Sequence, residues 1–377
     1  MNRNRIVASV ARLMLGKSMA ASIVDRDGRI SLTRFAKSVA RKCRLRKVFH
    51  TATLSLPDIV NTCMPQIPRA STPLALVSQI QRSGGSLLSQ LFDGHPQLHA
   101  HPHELKTGYP KKYCWPKIDL ADAPHQWFDM LFEDDVIQDF HNGYKKGERY
   151  ATTFPFLFLP ALQRAIFVAQ LETAHTVAPR TVFDAYMTSY FFAWLNNQNS
   201  AGSKRFITAF TPRLAMCPDN MRSFFDVYPD GRVISVIRDP GNWFASALRH
   251  ENKKRKYEVP EQAAAQWNAS TRAMLRNKRD YGDRVCIIRF DKLIGDTESV
   301  MRYLSGYLDI AFDPILLTPT FNKSPITANT SFRLERPGIM KSTLSRHNTL
   351  DSRQRAMIEQ LTGDTYQEAL RTAESVD

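Results

Sequence analysis

The sequence predicts a three-layer α/β protein, in which helices cover both faces of a central parallel sheet and a basic arm precedes the domain. Past residue 70, short apolar runs alternate with longer helical stretches, which is the pattern of strands joined by crossover helices. The chain has 377 residues and is 43% hydrophobic, enough to bury a large core. The predicted strands are Leu74 to Ile80, Phe206 to Phe210, Val233 to Ile237 and Val285 to Phe290. The predicted helices are Ser86 to Asp93, Pro155 to His175, Thr181 to Asn197, Gly241 to Lys254, Pro260 to Tyr281, Thr297 to Leu308 and Ser352 to Ala373.

Charge divides the chain into parts. Residues 1–70 hold 14 Lys and Arg against 3 Asp and Glu, a net +11 out of +15 for the whole chain. This arm is predicted to contain a hairpin around Asp27-Gly28 and a basic helix at Arg41 to Lys47. A solvated helix face is the simpler interpretation of the basic run, and contact with a membrane surface is left open. Residues 71–335 are predicted to form the α/β domain, and residues 336–377 a C-terminal helical segment that packs on it.

The composition favours a cytoplasmic protein, with peripheral membrane attachment left open. No apolar run approaches the roughly 20 residues that span a bilayer, and the N-terminal segment lacks a convincing cleavage site. Five cysteines are widely spaced and form no Cys-x-x-Cys pair, which argues against a disulfide framework and a zinc site.

The first predicted strand leads directly into a small-residue turn and an amphipathic helix. Unpaired N–H groups and the positive end of the helix dipole converge at such a junction and attract an anion. Gly84 and Gly85 are expected to let an oxyanion approach the backbone. Ser83 and Ser86 add hydroxyl donors, and Arg82 adds a positive charge. An ordinary glycine-rich turn is the alternative interpretation.

The same turn disfavours a metal-dependent kinase. A nucleoside-triphosphate loop requires Gly-Lys-Ser/Thr at this point, whereas Gly85 is followed by Ser86 and Leu87. The predicted site therefore holds an anion without a metal ion.

A second junction follows the strand at Val233 to Ile237. Arg238 comes directly after the strand, where open α/β sheets bind ligands. Asp239 and Pro240 are a helix cap and a first-turn proline. Ser246 lies about two turns into the helix, so it and Arg238 are predicted to hold a second phosphate. A surface ion pair and a helix spacer are the alternative interpretations of these two residues.

Together the two junctions resemble the sulfotransferases that use 3′-phosphoadenosine 5′-phosphosulfate (PAPS). Gln81 to Leu88, followed by His95-Pro96, is similar to the family's 5′-phosphosulfate loop. Val236 to Pro240, with Trp243 and Ser246, is similar to its 3′-phosphate motif. The resemblance, which covers about residues 72–335, extends to Ile288 to Ile294 and to the late loop at Thr320 to Pro325 and Asn329 to Phe332.

The resemblance implies a P-loop-like fold, PAPS as the sulfuryl donor and no metal. It implies a 5′-phosphosulfate site at Arg82, Ser83, Gly84, Gly85, Ser86 and Leu87, and a 3′-phosphate site at Arg238 and Ser246. Phe290 stands where the family often has tyrosine, and is expected to stack on adenine without donating a hydrogen bond. The family often has Gly-Thr-Thr/Ser where this chain has Gly84-Gly85-Ser86.

Glu104 is the first candidate for the base that deprotonates the acceptor hydroxyl. It falls where carbohydrate and tyrosylprotein sulfotransferases carry a glutamate, and His101 and His103 are the alternatives. The acceptor pocket is expected from the insertion at Asp119 to Lys146 and from the aromatic helix at Tyr186 to Trp194, although such a stripe is often plain core. The resemblance implies a hydroxyl-bearing acceptor, with a carbohydrate or glycolipid preferred by analogy.

Two other functions remain open from the sequence. One is a kinase-like nucleotide enzyme, and the other is a non-enzymatic basic adaptor for nucleic acid or a membrane surface. No specific nucleic acid is expected as a partner, and a homodimer is left open.

Overall fold

The structure is a computed structural model that describes residues 71–106, 114–133, 156–249, 257–326 and 338–376. The predicted N-terminal hairpin and basic arm lie outside these residues. The described chain belongs to two compact units. One contains residues 71, 106, 114–133 and 156–200, and the other contains 72–105 and the described residues from 201 onward.

The second unit is built on the predicted parallel sheet. Five strands lie in the order β2-β3-β1-β4-β5, and every neighbouring pair is parallel. A two-stranded antiparallel hairpin, β6 and β7, lies apart from this sheet. The strands are β1 Leu74–Val77, β2 Leu98–Glu104, β3 Phe206–Phe210, β4 Arg232–Ile237, β5 Val285–Arg289, β6 Thr320–Phe321 and β7 Ser324–Pro325.

Helices cover both faces of the sheet, which confirms the three-layer prediction. Side chains of successive strand residues point to opposite faces, and each face has its own apolar core. Val77 and Val236 belong to one core, which also contains Leu88 and Leu304. Ile237 and Ile287 belong to the other, with Trp243, Trp267 and Ile358. The helices of this unit are α1 Gly85–Phe92, α5 Pro218–Val227, α6 Pro240–Leu248, α7 Pro260–Tyr281, α8 Phe290–Gly295, α9 Thr297–Tyr307 and α10 Ser352–Thr372.

Several element boundaries differ from those predicted. β1 ends at Val77 and leaves residues 78–84 as a loop. β5 ends at Arg289, because Phe290 begins the short helix α8. The sequence prediction missed the edge strand β2 and the helix α5 entirely.

The first unit is helical in its described part. Its helices are α2 Pro124–Leu131, α3 Pro160–Glu172 and α4 Pro179–Ala193. Phe128 contacts Phe132, Phe167 and Tyr186 with ring centroids 5.3 to 6.4 Å apart. Tyr186 is fully buried, so the aromatic stripe of α4 forms core here. Across the residues that the structure describes, no helix combines the length and the apolar composition needed to cross a membrane.

Candidate active site

Both predicted junctions lie at one edge of the sheet. β1 and β4 are adjacent and parallel, so their carboxyl ends point the same way. The chain leaves β1 toward β2 on one side and leaves β4 toward β5 on the other side. Such a switch of direction opens a crevice at the carboxyl ends of the strands, where α/β proteins bind ligands.

The loop after β1 has the backbone of an anion cradle. Arg82 and Gly84 both have left-handed φ angles, of 73° and 99°, with Ser83 between them. Such alternation turns successive N–H groups toward one side. No side chain caps α1, so the first-turn N–H groups of this helix are not used by a cap.

The two glycines of this loop lie in close contact with neighbouring side chains. A β-carbon on Gly84 would lie 2.6 Å from the Phe290 ring, and one on Gly85 would overlap the side chains of Gln79 and Phe210. The missing side chains therefore make room for neighbouring residues. The expectation that they also let an oxyanion approach the backbone stays a prediction.

Three arginines meet between the two junctions. Nε and Nη2 of Arg82 lie 3.3 and 3.2 Å from Oγ of Ser246, so this guanidinium reaches across to the second junction. Arg346 donates to the same Oγ at 3.2 Å. Arg238 donates through Nη1 to the carbonyl of Arg82 at 2.7 Å and through Nη2 to the carbonyl of Thr343 at 3.2 Å.

Burial lowers the pKa of each member of this arginine cluster (Arg82, Arg238 and Arg346). Arg238 is 3% exposed, its Nε has no hydrogen-bond partner, and no carboxylate of the described chain forms an ion pair with it. Burial first, and then the charges of Arg346 and Arg82, lower the pKa of Arg238 to about 9. Burial and the charges of Arg82 and Arg249 lower the pKa of Arg346 to about 10. A bound anion would relieve both effects.

Phe290 connects the two junctions. Its ring lies against Gly84, and the guanidinium of Arg238 sits 4.5 Å from its centroid, within cation–π distance. Phe290 is 5% exposed, so its contacts in the structure are with the loop and the arginine. Stacking on adenine stays a prediction.

The family model described as the sulfotransferase family matches residues 76–314. This range covers more than half of the chain and includes both junctions. The chain belongs to the sulfotransferase family.

No curated protein matches this sulfotransferase. The sulfotransferase domain from the curacin biosynthetic pathway aligns at 18% identity over 78% of this chain and 99% of that chain, with a TM-score of 0.43. The sulfotransferase domain of the Synechococcus PCC 7002 olefin synthase aligns at 20% identity over 83% and 99%, with a TM-score of 0.44. Sulfotransferase STF9 from Mycobacterium avium aligns at 12% identity over 100% and 98%, with a TM-score of 0.43.

The predicted base of this sulfotransferase lies at the same edge of the sheet. Glu104 is the last residue of β2 and pairs in register with Phe210, the last residue of β3. His103 packs its ring 6.4 Å from that of Phe321. His101 is buried, and its Nδ1 lies 3.0 Å from the carbonyl of His103. All three candidates lie on β2, and Glu104 is the one at its carboxyl end.

The remaining predicted residues lie in the loop or beside it. Ser83 and Leu87 are buried, and Leu87 belongs to the sheet core, which leaves its N–H group as the part able to bind a ligand. Ser86 is half-buried in the first turn of α1. Ser246 is fully buried in α6. No group of three potential metal ligands occurs within the described ranges.

Arg346 is a site residue that the sequence patterns did not predict. It lies in a 3₁₀ segment, Lys341–Thr349, a hundred positions beyond Ser246. No strand-to-helix junction marks this segment, so no local signal identified the residue.

Proposed function

We propose that this sulfotransferase moves a sulfuryl group from PAPS to an acceptor hydroxyl. The observation that carries the proposal is that Arg82 and Arg346 meet at Ser246, and Arg238 at the carbonyl of Arg82, beside the uncapped start of α1. A nucleotide with phosphates at both the 3′ and 5′ positions carries charge at two ends. The chain offers cationic groups at one junction and backbone donors at the other.

The side chains at this site fit a nucleotide that donates a sulfuryl group. Arg238 keeps a buried Nε without a protein partner, and Ser246 already accepts from two guanidinium groups, so its hydroxyl proton is available to a phosphate oxygen. We assign Arg238, Ser246 and Arg346 to the 3′-phosphate. We assign the N–H groups of residues 85–87 to the 5′-phosphate and sulfuryl oxygens.

PAPS, when bound, supplies the sulfuryl group and a phosphate leaving group. The loop after β1 orients these groups and stabilises the charge that develops on their oxygens. A well-placed donor of this kind lowers the barrier by roughly 3 kcal/mol. Arg82, which lies between the two junctions, adds a charge near both.

Glu104 is proposed to accept the proton of the acceptor hydroxyl. β3 separates β2 from β1, and neighbouring strands lie ~4.8 Å apart. The end of β2 is therefore about 10 Å from the loop after β1, which leaves room for a sulfuryl group and an acceptor oxygen between them. His103 and His101 remain alternatives for this role.

The acceptor is proposed to be a carbohydrate or glycolipid, on the resemblance stated above. A panel of hydroxyl-bearing acceptors tests this choice, and sulfation of phenols or peptides alone would contradict it. Membrane contact through the basic arm and a homodimer stay predictions, and the arm lies outside the described residues.

A thermal-shift comparison of 3′-phosphoadenosine 5′-phosphate (PAP), ATP and NADPH tests the proposed donor site. PAP is expected to raise the melting temperature selectively, because a ligand that binds only the folded state stabilises it. Arg82→Ala and Arg238→Ala should each weaken PAP binding. The matched control is Arg205→Ala, whose exposed partner is Asp309 and which precedes β3 at the opposite edge of the sheet.

The other outcomes identify the other functions. Magnesium dependence with a preference for ATP would favour a kinase-like enzyme. Steep loss of nucleic-acid or membrane binding with salt, together with wild-type nucleotide affinity in Arg238→Ala, would favour the basic adaptor.

A further inference from the structure

Gln79 is a buried polar side chain close to the loop that begins α1. It lies in the loop after β1 and is 1% exposed, and neither Oε1 nor Nε2 has a hydrogen-bond partner. A buried group left without a partner costs about 1–3 kcal/mol. Native structures contain few such groups, and those they contain call for an explanation.

The amide of Gln79 lies against the first residue of α1. A β-carbon built on Gly85 would overlap Nε2 of Gln79, so the amide occupies the space that a side chain at position 85 would fill. The φ of Gly85 is not left-handed, and its backbone would accept a side chain. Gly85 is therefore glycine because Gln79 and the Phe210 ring stand there.

This position places a polar group where related loops often have a hydroxyl. The family pattern often has threonine at the position of Gly85, as noted above. In this chain the space at position 85 is occupied by the amide of Gln79, three residues before Arg82. Gln79 thus offers the cradle an N–H donor in place of a threonine hydroxyl.

The amide of Gln79 and the predicted base share one neighbour, Phe210. Phe210, which flanks Gly85 together with Gln79, ends β3 and pairs with Glu104. The arginine cluster lies on the opposite side of β1, toward β4. In the proposed reaction the sulfuryl group would be the part of the donor nearest to the base, and the 3′-phosphate would lie toward the arginines.

We propose that Gln79 is a catalytic residue whose Nε2 donates a hydrogen bond to an oxygen of the sulfuryl group during its transfer. The inference rests on the proposed function. In the step, the bond from sulfur to the 5′-phosphate oxygen breaks and its electron pair stays on that oxygen. A bond forms from the acceptor oxygen to sulfur, and the acceptor proton passes to Glu104. Gln79 exchanges no proton and stabilises charge on the oxygen that it contacts.

Gln79→Met is the decisive variant, because it keeps the length of the side chain and removes the amide. PAP lacks the sulfuryl group, so its Kd should stay within twofold of the wild-type value. Turnover with PAPS should fall about 100- to 1000-fold, in the range seen when one oxyanion donor is lost. Gln79→Glu should reduce turnover further, because a carboxylate repels the sulfuryl oxygens.

Melting temperature separates this role from a structural one. Replacing an unpaired buried amide by an apolar group should leave the stability unchanged or raise it. Gln163→Met is the matched control: Gln163 is also fully buried with both amide atoms unpartnered, but it lies in α3. Its variant should keep wild-type turnover.

Three results overturn the inference: wild-type turnover in Gln79→Met, a loss of PAP affinity as large as the loss of turnover, or a lowered melting temperature. If the wild-type protein does not bind PAP, the proposed function itself is contradicted. This outcome is measured without any substitution, so it is distinguishable from the three results above.

Discussion

Arg82, Arg238 and Arg346 form an arrangement that folding alone does not favour. Each guanidinium carries a positive charge, two of them share one serine hydroxyl, and the charges of Arg346 and Arg82 lower the pKa of Arg238 after burial has done so. Clustered buried cations cost free energy unless an anion compensates them. An anion bound at the proposed site would offset this cost.

Arg346→Ala should weaken PAP binding by about 10- to 100-fold, because a hydrogen bond to a charged group contributes about 1.5–3 kcal/mol. Isothermal titration of PAP at fixed ionic strength measures the loss. Arg353, an exposed arginine on α10, provides the control, since Arg353→Ala should keep the wild-type Kd. Equal Kd values for Arg346→Ala and the wild type would remove Arg346 from the nucleotide site.

Glu104→Gln should leave PAP binding unchanged and lower turnover at least ~100-fold, because the amide cannot accept the acceptor's proton. Parallel measurements of PAP affinity and of the single-turnover rate separate binding from chemistry. If turnover stays at the wild-type level, the base becomes His103 or His101, and the corresponding glutamine variants decide between these two.

At this scale the sequence predicted residues that carry a local signal. Arg82 and Arg238 each follow a buried strand and precede a helix, so the pattern of a strand, a turn and a helix identified both. Gln79 and Arg346 carry no such signal. Their positions follow from tertiary packing, against Gly85 in one case and against Ser246 in the other.

Among the elements, the hairpin of β6 and β7 depends on one buried carboxylate. Asp93, just after α1, accepts from Oγ1 of Thr320 at 2.7 Å and from the backbone N–H of Lys323 at 3.0 Å. Asn322 and Lys323 both have left-handed φ angles, which the turn must maintain. Burial raises the pKa of Asp93, and its hydrogen bonds oppose that shift.

Asp93→Ala should destabilise the protein by about 1–3 kcal/mol, because it leaves buried donors of the hairpin without an acceptor. Asp93→Asn keeps one acceptor oxygen and should lose less stability. Urea unfolding at neutral pH compares the two variants with the wild type. Identical midpoints for wild type and Asp93→Ala would show that the hairpin does not need this anchor.

Element prediction succeeded where apolar patterns are dense and failed at an edge. The strands β1, β3, β4 and β5 are short apolar runs, and all four were predicted. β2 reads Leu-His-Ala-His-Pro-His-Glu and has a register shift between Ala100 and Glu104. An edge strand tolerates proline and few apolar residues, so its sequence resembled a loop of titratable side chains.

For the molecule as a whole, the buried His95 and the half-buried His99 predict sensitivity to acid. Burial, and then the charge of Lys204, lowers the pKa of His99 to about 3, and burial also lowers the pKa of His95. In the unfolded chain a histidine binds its proton below about pH 6.5. Between pH 6.5 and 3 the unfolded state therefore holds more protons than the folded state, and the free energy of unfolding falls as the pH falls.

His99→Asn should reduce this acid sensitivity by about 1–2 kcal/mol between pH 7 and pH 5, because asparagine takes up no proton in either state. Urea unfolding at the two pH values, for wild type and variant, gives the difference directly. His125→Asn serves as the control, since His125 is exposed and its replacement should leave the pH dependence unchanged. If His99→Asn and the wild type lose the same stability between pH 7 and pH 5, then His99 binds its proton in the folded protein as readily as in the unfolded chain.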